Sequence, residues 1–261
     1  MGAVINPMPS TENIIQLTMI DGKLGKKPKV RLNKDGTVDK RRCNKVAGTS
    51  STVYPFTSEE IKMMANVFNK RIEEAKGDTR KWIAWRNKTL FLISINVGLR
   101  ASDLLQLRYS YFYNEDMSFK EYYELIPKKQ TETRKFVKLF FNKSVKKVLE
   151  KYVEQYSITD LNEFVFKSQK GNEAISERGF WKIIVDAAEE AGIKKNVGTH
   201  SCRKTWARQI YDVAKDKGNA LVMLQECLKH SSSTTTLRYI AIMDEEKKDM
   251  YESIELGIDY I

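Results

Sequence analysis

The chain has 261 residues, 41% of them hydrophobic, and carries 45 basic against 34 acidic side chains. This length is sufficient for one sizeable core. No apolar run approaches the roughly 18 residues that span a bilayer, and the first residues lack a signal-peptide core, so we expect a cytoplasmic protein. The net charge of +11 is typical of proteins that bind phosphate-bearing partners, although solubility alone is an alternative explanation.

The chain has three cysteines, Cys43, Cys202 and Cys227. A disulfide scaffold usually has more cysteines and an even number of them, so this set favours a reducing compartment. A zinc site can be drawn from His200-x-Cys202 and Cys227-x-x-His230. However, residues two apart on a helix point in different directions. We therefore expect Cys202 and Cys227 to pack on the backs of helices.

Residues 1–53 combine many basic side chains with almost no periodic apolar ones. Ten basic residues lie between positions 22 and 45: Lys23, Lys26, Lys27, Lys29, Arg31, Lys34, Lys40, Arg41, Arg42 and Lys45. We interpret this segment as a basic arm and linker that binds nucleic acid. An ordinary flexible tail is the alternative.

Helical patterns dominate from residue 57 onward. Residues 57–60 form a capping box that begins a first helix. The segment 82–97 is apolar almost all round and predicts a buried central helix that ends at Gly98. Ser102 is placed to cap a short helix over 103–107.

A β-hairpin interrupts the helices, because residues 122–126 and 135–141 alternate and are rich in β-branched and aromatic side chains. Thr199 and Asn219 are the predicted caps of two later helices, and Tyr239 is predicted to lie in a turn. The sequence thus predicts a mainly α fold with a small antiparallel β-hairpin, of the α+β class. The further predicted helices are 142–156, 176–191, 199–215, 220–228 and 244–258.

The candidate chemistry is DNA cleavage without a metal. It requires fixed positive charge on the phosphate oxygens, a nucleophile, and a proton donor for the leaving oxygen. Arginine, tyrosine and lysine suit these three tasks. The candidate residues are Arg100, His200, Arg203, His230 and Tyr239, with Lys128, Lys129 and Lys135 near the hairpin tip.

Each candidate also has an ordinary structural interpretation. Arg100 could form a surface salt bridge with Asp103. His200 and Arg203 could serve only the end of their helix, and Tyr239 could be an aromatic at the edge of the core. All of these alternatives would have to hold at once, and independently of one another, while the residues still followed the ordered pattern described next.

The ordered pattern consists of Gly-Leu-Arg-Ala-Ser-Asp at 98–103, a hairpin lysine, His200-x-x-Arg203, Leu-Lys-His at 228–230, and Thr236-x-x-Tyr239. It resembles the tyrosine recombinase (phage integrase) family. The resemblance implies the catalytic-domain fold of that family over residues 54–243.

The resemblance assigns the binding of the scissile phosphate to Arg100 and Arg203. His230 would donate a hydrogen bond to the same phosphate. Asp103 matches an acidic position that braces the turn of the active site.

The resemblance also assigns the proton transfers. Tyr239 would form the 3′-phosphotyrosine, with His200 helping to deprotonate it. Lys129 would protonate the 5′ leaving oxygen, although Lys128 is an alternative. Lys128 and Lys135 would contact DNA.

At the level of the whole protein, the resemblance implies recombination between double-stranded DNA sites through a Holliday junction, without metal, ATP or other cofactor. The enzyme would be a monomer in free solution and a homo-tetramer on DNA. It would be associated with the nucleoid rather than a membrane. An accessory DNA-bending or directionality factor could be a further partner. A type IB topoisomerase-like enzyme and a non-catalytic DNA-binding regulator are the alternatives.

Two departures from the family pattern stand out. Lys229 occupies a position that is usually glycine. Residues 1–53 are too few and too polar for the core-binding domain of about 100 residues that precedes most catalytic domains of the family, which suggests a minimal recombinase. The tail, 244–261, would dock on a neighbouring subunit or pack on its own domain.

We predict that deleting residues 1–46 lowers DNA affinity and flattens its dependence on salt, because each lost phosphate contact removes about 0.9 from the slope of log K against log salt. Binding titrations at several salt concentrations measure this slope. A full-length variant with the ten basic residues changed to glutamine is the matched control and should behave like the deletion. An unchanged slope would identify the segment as a tail.

Overall fold

The computed structural model describes residues 52–127, 136–158, 160–241 and 251–253. The fold is mainly helical with one small antiparallel sheet, which confirms the predicted class. Within these ranges, no helix has both the length and the apolar character needed to cross a membrane. The helices are α1 (Ser58–Glu74), α2 (Asp78–Val97), α3 (Ala101–Leu104), α4 (Lys143–Gln155), α5 (Glu177–Glu190), α6 (Thr199–Val213), α7 (Lys217–Leu228) and α8 (Ser233–Tyr239).

Helix α1 begins at the predicted capping box. The Thr57 hydroxyl accepts from the Glu60 N–H at 3.2 Å, and the Glu60 carboxylate accepts from the Thr57 N–H at 2.7 Å. The chain is already folded before this point, because Phe56 is buried and its N–H donates to Thr205 Oγ1 at 2.7 Å. The folded domain therefore includes residues that precede the capping box.

Helix α2 is the central helix of the core, as its apolar sequence predicts. It packs against α1, α4 and α6, and Leu90, Phe91 and Ile93 are fully buried. It starts four residues earlier than predicted, at Asp78, because polar residues extend its first turn.

The predicted hairpin is present as β1 (Tyr122–Leu125) and β2 (Val137–Phe140). Tyr122 pairs with Phe140, and Leu125 pairs with Val137. Leu125 and Leu139 point into the core, whereas Tyr122 and Phe140 are exposed. The predicted loop at 130–134 lies outside the described residues.

Two predicted helix caps are wrong near the N-terminal ends of α3 and α6. Helix α3 begins one residue before Ser102, and the carbonyl of Arg100 accepts its first backbone hydrogen bonds. Helix α6 has Gly198 as its N-cap, so Thr199 is its first helical residue. Ser201 supplies the side-chain bond instead, since its Oγ accepts from the Gly198 N–H at 3.1 Å.

The C-terminal helices also differ from prediction at their starts. Asp216 caps α7 by accepting from the N–H of Asn219 at 3.0 Å, so Asn219 lies within the first turn. Tyr239 ends a helix rather than lying in a turn, because Ser232 caps α8 and nucleates it. Of the predicted helix over 244–258, only 251–253 is described.

Gly98 ends α2 in a left-handed conformation, with φ +63°. It also lies against α6, since a Cβ at this position would come within 2.3 Å of the Trp206 ring. Only glycine satisfies both requirements. This close approach fixes the start of the turn that carries Arg100.

We predict that Gly98→Ala destabilises the protein far more than Gly192→Ala. Gly192 ends α5 with φ +76° and open space around it, so alanine there costs only the backbone strain, about 1 kcal/mol. At Gly98 the same strain is joined by overpacking against Trp206, roughly 1–3 kcal/mol more. Chemical denaturation of both variants measures the difference, and equal losses would contradict the role of the contact.

Candidate active site

Arg100 lies in the turn between α2 and α3. It is half-buried and lines a cleft of about 740 Å³. Arg203, from α6, lines the same cleft, as does the buried Asp103 of α3. Two arginines that are far apart in the sequence thus share one recess.

Helix α6 brings buried polar groups to the site. Every residue from 201 to 205 is buried, because α6 packs against α2, α5 and α7. The Thr205 hydroxyl is satisfied by donating to the Ser201 carbonyl at 2.8 Å. Arg203 is only 7% exposed, and arginine is rarely buried to this extent unless it has a partner.

His200 and Arg203 are three residues apart near the start of α6. His200 is exposed, whereas Arg203 is buried. The start of a 15-residue helix favours an anion, because its free N–H groups and dipole carry positive character. The pair is therefore placed where a phosphate would bind.

His230 and Tyr239 meet at the junction of α7 and α8. Their rings are 5.0 Å apart between centroids, with 67° between their planes. His230 Nδ1 lies 3.1 Å from the Thr236 hydroxyl, and Thr236 is fully buried. Lys229, immediately before His230, has a left-handed backbone with φ +58°, a conformation that glycine adopts more easily.

The Tyr239 hydroxyl is buried and makes no hydrogen bond of normal geometry with any described residue. Burial raises the pKa of Tyr239, and the nearby Arg203 and Arg100 charges partly offset that rise. Arg203 is close enough to favour the phenolate as a hydrogen-bond donor, but its geometry falls short of an ordinary hydrogen bond. Tyr113 and Tyr156 also have buried hydroxyls without a partner among the described residues, so what distinguishes Tyr239 is that Arg203 and His230 lie beside it.

Desolvation and the neighbouring cations lower the pKa of both histidines, which favours the neutral imidazole. Partial desolvation lowers the pKa of His200, and Arg203, Lys204 and Arg100 lower it further. Partial desolvation also lowers the pKa of His230, with added contributions from Arg203 and Arg100. A neutral imidazole can accept a proton, which a protonated one cannot.

Burial lowers the pKa of Arg203, while the negative potential of Tyr239 and Asp103 opposes this effect. Asp103 therefore acts on the charge of Arg203 rather than simply pairing with Arg100. The bracing of the site by Asp103 stays a prediction.

The described residues hold no group of three or more His, Cys, Asp or Glu side chains arranged to bind a metal. Cys202 is packed in the core, as predicted, beside Ser94. Cys227 is exposed instead of packed. The hairpin lysines Lys128, Lys129 and Lys135 and the basic arm lie outside the described residues, and their roles stay predictions.

The geometry gathers two arginines, two neutral imidazoles and a partnerless phenol, a combination suited to a phosphodiester. The phage integrase family model matches residues 56–246. The chain belongs to the phage integrase family.

Curated relatives extend this match. The chain is 30% identical over 178 residues to the probable integrase/recombinase YoeC of Bacillus subtilis strain 168, a match that covers 67% of this chain and 90% of YoeC. It is also 30% identical over 188 residues to the tyrosine recombinase XerD of Oceanobacillus iheyensis, covering 70% of this chain and 58% of XerD. The chain thus spans most of YoeC and little more than half of XerD.

Solved structures share the fold. The XerA recombinase superposes with a TM-score of 0.56 at 20% identity, over 78% of this chain and 64% of XerA. The XerH site-specific recombinase, in a post-cleavage complex with its palindromic difH substrate, gives a TM-score of 0.55 at 20% identity, over 76% of this chain and 52% of XerH.

Sequence reasoning missed two residues of this site. Trp206 fixes Gly98, but a tryptophan in a helix carries no signal of such a contact. Lys204 is only 8% exposed, with its ammonium 5.2 Å from the Tyr239 ring centroid. Its position four residues after His200 places both on one helix face and could have revealed it.

We predict that both histidines titrate below the ordinary value of about 6.5, and that Arg100→Ala raises both pKa values, because it removes a positive neighbour. Proton NMR of the imidazole rings measures this directly, since the chain has only two histidines. Arg80→Ala, at the far end of α2, is the control and should leave both values unchanged. If Arg100→Ala leaves both histidine pKa values unchanged, Arg100 does not lie close enough to the histidines to act on them.

Proposed function

We propose that this protein is a site-specific DNA recombinase that cleaves and rejoins DNA through a 3′-phosphotyrosine at Tyr239. The observation that carries this proposal is the buried, partnerless Tyr239 hydroxyl beside Arg203 and His230. A hydroxyl so placed has a raised pKa and few ordinary uses. Next to an anion-binding recess, it is suited to attack on a phosphate.

In the proposed cleavage step, Arg100 and Arg203 bind the non-bridging oxygens of the scissile phosphate. Their planar guanidinium groups match two oxygens at once and keep their charge. Their effect grows as negative charge accumulates on the phosphate in the transition state. The shared cleft supports this role, because both arginines line it.

His200 takes the phenol proton as Tyr239 Oη forms its bond to phosphorus. The lowered pKa of His200 supports this role, because the imidazole is then free to accept the proton. His230 holds the phosphate through Nε2, since Thr236 engages its Nδ1. This requires the tautomer in which Nε2 carries the proton, so that the Thr236 hydroxyl donates to Nδ1 at 3.1 Å rather than to the Ser232 carbonyl at 3.4 Å.

As the new bond forms, the bond between phosphorus and the 5′ oxygen breaks, and the leaving oxygen takes a proton. We assign this proton to Lys129, with Lys128 as the alternative. Pro127, which directly precedes Lys128 in the chain, lines the same cleft as the two arginines. Attack by a new 5′ hydroxyl on the phosphotyrosine reverses the step and rejoins DNA, so no external energy source is needed.

Recombination additionally needs two sites and four active subunits. We propose exchange through a Holliday junction in a tetramer on DNA in the cytoplasm, with residues 244–261 docking on a neighbouring subunit. The solved XerH complex with its difH substrate supports DNA as the partner. Residues 1–53 would add phosphate contacts, and an accessory protein could bend or direct the DNA.

We predict that Tyr239→Phe binds DNA within about twofold of the wild type but forms no covalent adduct, because only a hydroxyl is lost. The assay uses a library of nicked duplexes in which the cleaved end diffuses away, so that the adduct accumulates and is resolved by denaturing electrophoresis. Tyr211→Phe, a tyrosine of α6 beside the same helices, is the matched control and should retain the adduct.

Undiminished adduct in Tyr239→Phe would overturn the nucleophile assignment. Binding without any adduct in the wild type would favour a DNA-binding regulator. Relaxation of supercoils without junction intermediates would favour a topoisomerase.

A further inference from the structure

Lys204 is a cation buried at the site that the cleavage step above leaves without a role. It directly follows Arg203 on α6, and only 8% of it is exposed. No described carboxylate lies within salt-bridge distance of it. Burying an ammonium group without a carboxylate is costly, so its retention calls for an explanation.

The neighbour that Lys204 does have is Tyr239. The ammonium nitrogen is 5.2 Å from the centroid of the phenol ring, over which it forms a cation–π contact. His230 contacts the same ring edge-on at 5.0 Å. The ring is thus fixed by two side chains from different elements while its hydroxyl stays unbonded.

Lys204 also acts on His200, the proposed base. The two are four residues apart on one face of α6, and the charge of Lys204 contributes to the lowered pKa of His200. Lys204 therefore influences both the proposed nucleophile, through the ring contact, and the proposed base, through its charge.

We propose that Lys204 is a positioning residue for the nucleophile, whose buried ammonium holds the Tyr239 ring and favours its phenolate during attack. The proposal rests on the proposed role of Tyr239. Negative charge in a phenolate spreads into the ring, so a cation over the ring attracts the phenolate more strongly than the neutral phenol. The contact strengthens as the phenol proton leaves, which is when it aids the reaction.

Other groups near the same phenol also change its pKa. They are Arg203 on α6 and Arg100 after α2, both of which lower the pKa of Tyr239, while burial and Cys202 raise it. Burial also lowers the pKa of Lys204 itself. Since two arginines remain when Lys204 is removed, we expect a partial loss of rate rather than an abolished reaction.

The test measures single-turnover adduct formation on the nicked duplex for the wild type, Lys204→Met and Lys204→Arg. Methionine keeps most of the length without charge, and arginine keeps the charge. We expect Lys204→Met to cleave about tenfold more slowly at neutral pH and Lys204→Arg to retain most of the rate. The deficit of Lys204→Met should narrow as pH rises, because the wild-type phenol ionises first and its advantage then disappears.

Two further measurements separate this role from packing and from acid catalysis. Fluorinated tyrosine at position 239, whose phenol ionises more easily, should restore Lys204→Met. A substrate with sulfur in place of the 5′ bridging oxygen needs no proton on leaving, and it should not restore the variant. Restoration by the sulfur substrate would make Lys204 the general acid and overturn the proposal.

A rate deficit that is the same at every pH and is not restored by fluorotyrosine would also overturn it, leaving Lys204 a packing residue. Cleavage by Lys204→Met at the wild-type rate would also overturn the proposal. Thermal unfolding and DNA affinity are checked for each variant, and Lys204→Gln replaces the methionine variant if that fails to fold. If the wild type itself forms no adduct, the proposed function is refuted. If the wild type is active, a negative result with the variants refutes only the role of Lys204.

Discussion

The contact between the end of α2 and the face of α6 is the constraint on which the site depends. Gly98 lies so close to Trp206 that no side chain fits between them. The next residues along the chain carry Arg100 into the cleft, while α6 supplies Arg203. A shift at this contact would change the spacing of the two guanidinium groups that we propose bind one phosphate together.

A second feature of the site is that its cations are buried before any anion is present. Arg203 and Lys204 are both nearly inaccessible, and burying charge reduces the stability of the folded protein. The lowered pKa values of the two histidines limit the positive charge that adds to these cations. A bound phosphate would relieve this repulsion, which converts part of the folding cost into affinity for the substrate.

Much of the fold was readable from local patterns. The capping box at Thr57, the apolar run that became α2, and the alternating strands all depend on neighbours within a few residues. The wrong caps have two causes. At α7 another capping side chain, Asp216, takes the place of Asn219. By contrast, α3 and α6 have Arg100 and Gly198 as their N-caps, and neither residue caps its helix with a side chain.

The site was predictable only where residues form spaced motifs. Arg100, His200, Arg203, His230 and Tyr239 were found in this way, although the pattern does not show that Tyr239 is buried or on a helix. Lys204 and Trp206 were missed because their roles depend on contacts between elements far apart in sequence. Lys229 was noticed as an exception to a usual glycine, and its left-handed backbone explains that preference.

The state of Tyr239 without DNA has a chemical consequence. Its buried hydroxyl has a raised pKa and no partner, so at neutral pH it is a protonated and poor nucleophile. If His200 removes the proton as we propose, the resulting phenolate would gain its full stabilisation only when it attacks a phosphate held by Arg100 and Arg203. In the proposed mechanism, the same burial that disfavours the phenolate in the free protein confines its reactivity to a correctly bound substrate, because the charges that offset burial are the ones assigned to the phosphate.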